Sequence, residues 1–206
     1  MSQNKPPIRV ADDDDMGTPQ VDSFQNEIFF YTGVTSDSVL LLNKKLAKIN
    51  YEIAMQMTEF QLKYPPGFEL PYMPITLRIN SFGGSVFAGM SAADAIQNSR
   101  SPVITIIDGA AASAATFMSV VGARRLMTRN SHALIHQLSS GFWGTFENIK
   151  DEVQNLNLLM ERITEFYVRH ANIPKKVLAE TLKRDIWFDA KTCLKYGLVD
   201  EVIDSE

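Results

Sequence analysis

The stretch that most constrains this chain is an apolar, β-branched run, Val103 to Ile107, followed by Asp108-Gly109-Ala110-Ala111-Ala112-Ser113-Ala114-Ala115-Thr116 and then Phe117-Met118-Ser119-Val120-Val121. The run predicts a buried strand and the last segment a packed helix, with a turn of small residues between them. A lone hydroxyl among alanines at such a turn, Ser113, stands where a nucleophile is favoured. Small neighbours let a substrate backbone approach, and a helix N-terminus stabilises developing negative charge. Taken alone, the stretch reads as close helix packing around an incidental serine, so the rest of the chain must decide.

The flanking pattern is one of alternating strands and helices. Glu27 to Gly33 reads as a short aromatic strand. From Ser36 onward, Val39, Leu42, Leu46, Ile49, Ile53, Met57 and Phe60 mark one face of a long amphipathic helix. Tyr64-Pro65-Pro66-Gly67-Phe68 breaks it, and Pro71 and Pro74 extend the loop. Ile75 to Ile79 predicts a strand, and Asn80-Ser81-Phe82-Gly83-Gly84-Ser85 a glycine turn opening a helix to about Asn98. The glycine pair matches neither the dinucleotide nor the P-loop spacing.

Arg125 to Thr128 and Ala133 to His136 read as strands, and Ser139 to Gly144 as an irregular loop. Phe146, Ile149, Val153, Leu156, Met160, Ile163 and Tyr167 mark a second long amphipathic helix. Pro174 opens a short helix to about Leu182, and Asp189 caps another that ends at Gly197. The alternation predicts an α/β domain with a mainly parallel sheet. Residues 1–23 are polar and carry the acidic run Asp12 to Asp15, so they are assigned to a mobile N-terminal arm, leaving 24–206 as one folded domain.

Composition narrows the function classes. With 206 residues, 45% of them hydrophobic, the chain can bury a full core. A net charge of -4 gives nothing to attract nucleic acid. No apolar run reaches membrane-spanning length, and the N-terminus lacks the apolar centre of a signal peptide. The single cysteine, Cys193, cannot form an intrachain disulfide; it fits a reducing compartment and reads as a small buried hydrophobe. Three histidines and one cysteine argue against a structural metal site.

A serine nucleophile needs an imidazole to take its proton, an acid to orient that imidazole and donors for the oxyanion. By position His136 ranks first, at the end of a predicted strand before a glycine-containing loop. His132, four residues earlier, would share its strand face. His170 ranks last, near the end of the second long helix, where the dipole favours it. For the acid, Asp185 would be covered by Ile186-Trp187-Phe188, and that cover would strengthen the pair. Many other carboxylates compete for the role.

Ile79-Asn80-Ser81-Phe82-Gly83-Gly84-Ser85-Val86-Phe87-Ala88-Gly89-Met90, Gly109-Ala110-Ala111-Ala112-Ser113, Asn130-Ser131-His132-Ala133-Leu134-Ile135-His136-Gln137, Lys183-Arg184-Asp185 and Tyr196-Gly197-Leu198-Val199-Asp200 form one set of stretches. Together they resemble the ClpP family of self-compartmentalised serine peptidases. They run from about Glu27 to Ile203 in the family's order and with nearly its spacing. The resemblance implies a ClpP/crotonase-like α/β spiral with a long handle helix from Phe146. By position Ser113 matches the nucleophile, His136 the general base, Asp185 the orienting acid, and the amides of Gly84 and Ala114 the oxyanion donors. His132 falls on a non-catalytic position.

The resemblance further implies a serine endopeptidase that cleaves unfolded polypeptides inside stacked heptameric rings in the cytoplasm, served by an ATP-driven AAA+ unfoldase. That chemistry requires no metal or cofactor in the chain. Phe82 and Leu138 replace prolines of the family pattern, and about a dozen extra residues lie between Tyr64 and Pro74. Lys183 replaces the acidic neighbour usual beside the ring-contact arginine matched by Arg184. Thr76 and Arg78 stand where tyrosines are usual in the unfoldase-docking pocket, Asn98 where phenylalanine is, and Thr128 where leucine is common. The expectation is therefore a weakly bound or divergent unfoldase, or mixed rings with another ClpP, as in a viral or accessory paralogue. Other readings are a capsid-maturation protease of the same fold, a non-cleaving ring subunit, a crotonase-type acyl-CoA enzyme, and a Ser/Lys peptidase. The last two leave the Ser/His/Asp set unexplained.

Overall fold

The computed structural model describes residues 20–64 and 73–204. The acidic run and most of the expected arm lie outside the described residues, as does most of the proline-rich insertion. Within them the chain builds β1 (Val21–Phe24), β2 (Glu27–Phe30), α1 (Ser36–Lys63), β3 (Ile75–Ser81), α2 (Val86–Gln97), β4 (Val103–Ala112), α3 (Ala114–Ser119), β5 (Arg124–Thr128), β6 (His132–Leu134), α4 (Phe146–His170), α5 (Lys175–Thr181), β7 (Phe188–Asp189), α6 (Ala190–Lys195) and β8 (Glu201–Ile203). β1 begins at Val21, inside the stretch assigned to the arm.

The sheet runs β1-β2-β3-β4-β5-β8, with β6 branching from β4 and carrying β7. Its centre, from β2 to β8, is parallel, while β1–β2 and β6–β7 are antiparallel. In β3, Ile75, Leu77 and Ile79 point to one face and are fully buried, while Thr76, Arg78 and Asn80 alternate to the other. The α1 stripe buries Val39, Leu42, Leu46, Ile49 and Ile53, each worth about 1.5–3 kcal/mol of apolar transfer. Thr35 and Ser38 close a capping box at its start. Among the described residues, no helix is long and apolar enough to cross a membrane.

The sequence reading ended the central strand at Ile107, but β4 continues to Ala112 by changing partners. Residues 104–107 pair with β5, and residues 110–112 pair with β6. The backbone groups stranded at the change are taken up by side chains. Gly109 N–H donates to Ser131 Oγ (2.7 Å), Ser131 Oγ donates to the Ile107 carbonyl (3.1 Å), and Ala110 N–H donates to Asn80 Oδ1 (3.2 Å). Ser113 therefore emerges from the end of an extended central strand. β6 is shorter than expected and stops at Leu134, so His136 lies beyond the strand rather than on one face with His132.

Candidate active site

Ser113 is the N-cap of α3, with φ 52° and ψ -125°. A non-glycine residue in that region is strained and persists only when its surroundings hold it. Two contacts do so. Ser113 N–H donates to the Leu134 carbonyl at 2.8 Å, and its own carbonyl accepts Thr116 N–H at 3.0 Å. A serine at an N-cap ordinarily spends its hydroxyl on the helix amides. Here it makes no capping bond, so the hydroxyl is not tied to the amides of α3.

The glycine turn packs directly against this elbow. Gly83 has φ +96°, and a Cβ there would meet the Ala112 carbonyl oxygen at 2.6 Å and Ser113 Cβ at 2.8 Å. Gly84 has φ +145° and lies against the Val34 backbone, where a Cβ would collide. Val34 N–H donates to the Gly83 carbonyl and Ser85 N–H to the Val34 carbonyl, both at 2.8 Å. This small bridge holds the turn while leaving Gly84 N–H out of its ladder. Ala114, first residue of α3, has no intrahelical acceptor for its N–H. Two amides from separate elements are thus available beside Ser113.

His136 follows the fully buried Ile135 and is one-quarter exposed at its side chain. Gln137 N–H donates to the Leu182 carbonyl at 2.6 Å, anchoring the segment to the end of α5. Asp185 lies three residues past Leu182, and its Oδ1 is 2.9 Å from His136 Nδ1. An ionised carboxylate only accepts, so this contact favours the Nδ1–H tautomer and leaves Nε2 as the ring nitrogen with a free lone pair. Gly84, Ser113 and His136 line one cleft together with Val86, Phe117 and Ile163. Among the described residues, no hydrogen bond joins Ser113 Oγ to His136.

Several expectations are corrected. Asp185 is not desolvated by its aromatic neighbours, because its side chain is 80% exposed. Ile186 points outward, and Trp187 turns to meet Phe82 edge-on, with ring centroids 6.1 Å apart. The helix end does not favour a charged His170: burial, then Arg169 and Arg125, lower its pKa. Thr128 is buried with its hydroxyl against Ser131, so it does not shape the surface as Thr76, Arg78 and Asn98 do. His132 is exposed and sits 3.1 Å from the Asn130 carbonyl. Cys193 is buried as expected, its thiol pushed up to about 12 by desolvation.

Sequence reasoning missed two features. One is the Phe82–Trp187 contact across the site. The other is the pairing of Thr116 with Tyr167, for which the buried stripe of the second long helix was the available signal. Among the described residues, no group of three or more His, Cys, Asp or Glu side chains gathers as a metal centre.

The sequence pattern of the Clp protease family matches residues 37–206. A relative from Deinococcus radiodurans, an ATP-dependent Clp protease proteolytic subunit, is 32% identical over 136 residues, which are 65% of this chain and 67% of that protein. Among solved structures, a point mutant of ClpP1 from Listeria monocytogenes shares the fold with a TM-score of 0.72 at 21% identity, covering 88% of this chain and 93% of that one.

Proposed function

The chain belongs to the Clp protease family and is a ClpP-type peptidase, and from that premise we propose that it works as a serine endopeptidase through Ser113, His136 and Asp185. The observation that carries this reading is one cleft lined by Gly84, Ser113 and His136, with Asp185 on His136 Nδ1. Ser113 Oγ attacks the peptide carbonyl carbon while His136 Nε2 takes its proton. The carbonyl oxygen becomes an oxyanion held by the N–H groups of Gly84 and Ala114. His136 then gives the proton to the leaving amine, and water, deprotonated by His136, releases the acyl-enzyme.

The chamber and its partners follow as part of the same proposal. Trp143 is 95% exposed, and Phe142 beside it in the chain and Phe146, Ile149 and Val153 along α4 are exposed as well. This apolar surface fits the handle by which two rings stack, in a homomeric or mixed assembly. At the expected unfoldase-docking position, Arg78 pairs with Glu27 (2.6 Å) and Asp108 (3.4 Å), and Tyr31 donates to Asp108 (2.6 Å). An apolar loop docked there would leave charged groups poorly solvated, so the AAA+ unfoldase this chain recruits is a divergent or weakly bound one. We place the assembly in the cytoplasm.

The test pairs native mass with hydrolysis of a short fluorogenic peptide by wild type and Ser113→Ala. A large ring whose activity Ser113→Ala abolishes supports the reading. Activity that survives the substitution rejects Ser113 as nucleophile, and a large, inactive wild-type ring favours an assembly role.

A further inference from the structure

Ser113 is held through its carbonyl as well as its N–H. Thr116 Oγ1 donates to the Ser113 carbonyl at 2.6 Å, beside the 3.0 Å bond from Thr116 N–H. A carbonyl can only accept, so that bond uses the single hydroxyl proton of Thr116. The second contact of Thr116 Oγ1, with the Tyr167 hydroxyl, therefore has Tyr167 as donor. A directed chain results: Tyr167 O–H to Thr116 Oγ1, then Thr116 O–H to the Ser113 carbonyl.

The direction matters because the Ser113 carbonyl and the Ala114 N–H are the two ends of one planar trans peptide. Fixing where the oxygen points fixes, in the opposite sense, where the Ala114 N–H points. We propose that Tyr167 and Thr116 are positioning residues that aim the Ala114 N–H at the developing oxyanion. This inference rests on the reading of Ser113 as nucleophile and Ala114 as oxyanion donor.

Tyr167 is built for the task. It belongs to α4, is 1% exposed, and is flanked by Phe117 (5.8 Å between centroids) and Phe166 (6.1 Å). Burial raises its phenol pKa well above the ordinary value, so it remains a protonated donor throughout the working range. A threonine hydroxyl bonded back to a nearby helix carbonyl is common by itself. What sets this one apart is a buried second donor from another element and a strained residue at the receiving end. Because the aim of an amide matters most when negative charge develops, its loss lowers kcat and spares KM.

The full-length protein is tested as wild type, Ser113→Ala, Tyr167→Phe, Thr116→Val and Thr116→Ser. The readouts are peptide hydrolysis, the rate of labelling by a fluorophosphonate probe, and native mass. Tyr167→Phe keeps the ring packing and removes only the donor. It is expected to lower kcat and the labelling rate about 10-fold, with KM within about twofold, less than the ~10²–10³ lost when an oxyanion donor is deleted. Thr116→Val should lose at least as much, Thr116→Ser should recover most of it, and a variant combining Tyr167→Phe with Thr116→Val should be no worse than Thr116→Val alone.

Unchanged kcat in Tyr167→Phe and Thr116→Val overturns the inference, as does a Thr116→Ser variant as impaired as Thr116→Val. So does a loss expressed only in KM. If Tyr167→Phe fails to assemble, the Thr116→Val and Thr116→Ser pair decides. Hydrolysis or labelling that survives Ser113→Ala, or a wild type that neither hydrolyses nor labels, instead rejects the nucleophile reading on which the inference stands.

Discussion

Gln137 donates its backbone N–H to the carbonyl of Leu182 at 2.6 Å, and that bond sets the distance between two residues far apart in the chain. His136 precedes Gln137, and Asp185 lies three residues past Leu182. With the segments pinned, the 2.9 Å contact between His136 Nδ1 and Asp185 Oδ1 does not depend on burying the acid. On the other side, Ser113 N–H donates to Leu134, two residues before His136. Backbone bonds, rather than side-chain cover, hold the set together.

Asp185→Asn tests how much an exposed acid contributes. Where the acid is buried, the same change costs about 10⁴ in kcat. Asp185 is 80% exposed, so solvent screens its charge and can replace part of its contact. The expected loss in kcat is roughly 10- to 100-fold, read from peptide hydrolysis at saturating substrate.

Gly83→Ala should damage the site more than its conservative chemistry implies. The new methyl group would meet the Ala112 carbonyl and Ser113 Cβ, at a backbone angle L residues rarely adopt. Strain of that kind costs about 1–3 kcal/mol. A lower Tm together with near-complete loss of activity is expected, whereas Gly141→Ala, where a Cβ has open space, should leave Tm almost unchanged.

Phe82 and Trp187 hold the glycine turn and the Asp185 segment against each other. An aromatic pair is worth about 0.5–1.5 kcal/mol beyond its buried area. A double-mutant cycle with Phe82→Ala and Trp187→Ala should return coupling in that range, and each single variant should lower kcat. Additive losses would show that the rings act separately.

His170 predicts a pH effect on stability. Burial, then Arg169 and Arg125, lower its folded pKa below the ordinary value near 6.5, and its ring also lies 4.7 Å from Phe166. The unfolded chain therefore binds the proton more readily. The stabilising contribution is fully present above about pH 6.5 and is lost as pH falls through the folded pKa. Thermal melts between about pH 7 and pH 5 should show wild type losing Tm relative to His170→Gln on acidification; a constant separation would rule the effect out.

Much of the site was legible because it rests on local chemistry. A strand followed by alanines around Ser113 marks the elbow, and the pair Gly83-Gly84 marks the turn that must approach it. The cover expected over Asp185 failed because the direction of Trp187 depends on Phe82, a residue 105 positions earlier whose proximity no local pattern encodes. The extension of β4 past Gly109 was hidden for a similar reason. It depends on Asn80 and Ser131 supplying bonds that the neighbouring strands do not.

By itself the sequence determined the long helices, the parallel α/β alternation and the residue types at the candidate site. Periodicity, capping and small-residue turns act over a few positions. Tertiary structure alone decided that Ser113 is held in a strained geometry, that Asp185 stays in water and that Tyr167 reaches Thr116. Each of these depends on groups distant in sequence, and only packing the elements together determines which of them meet.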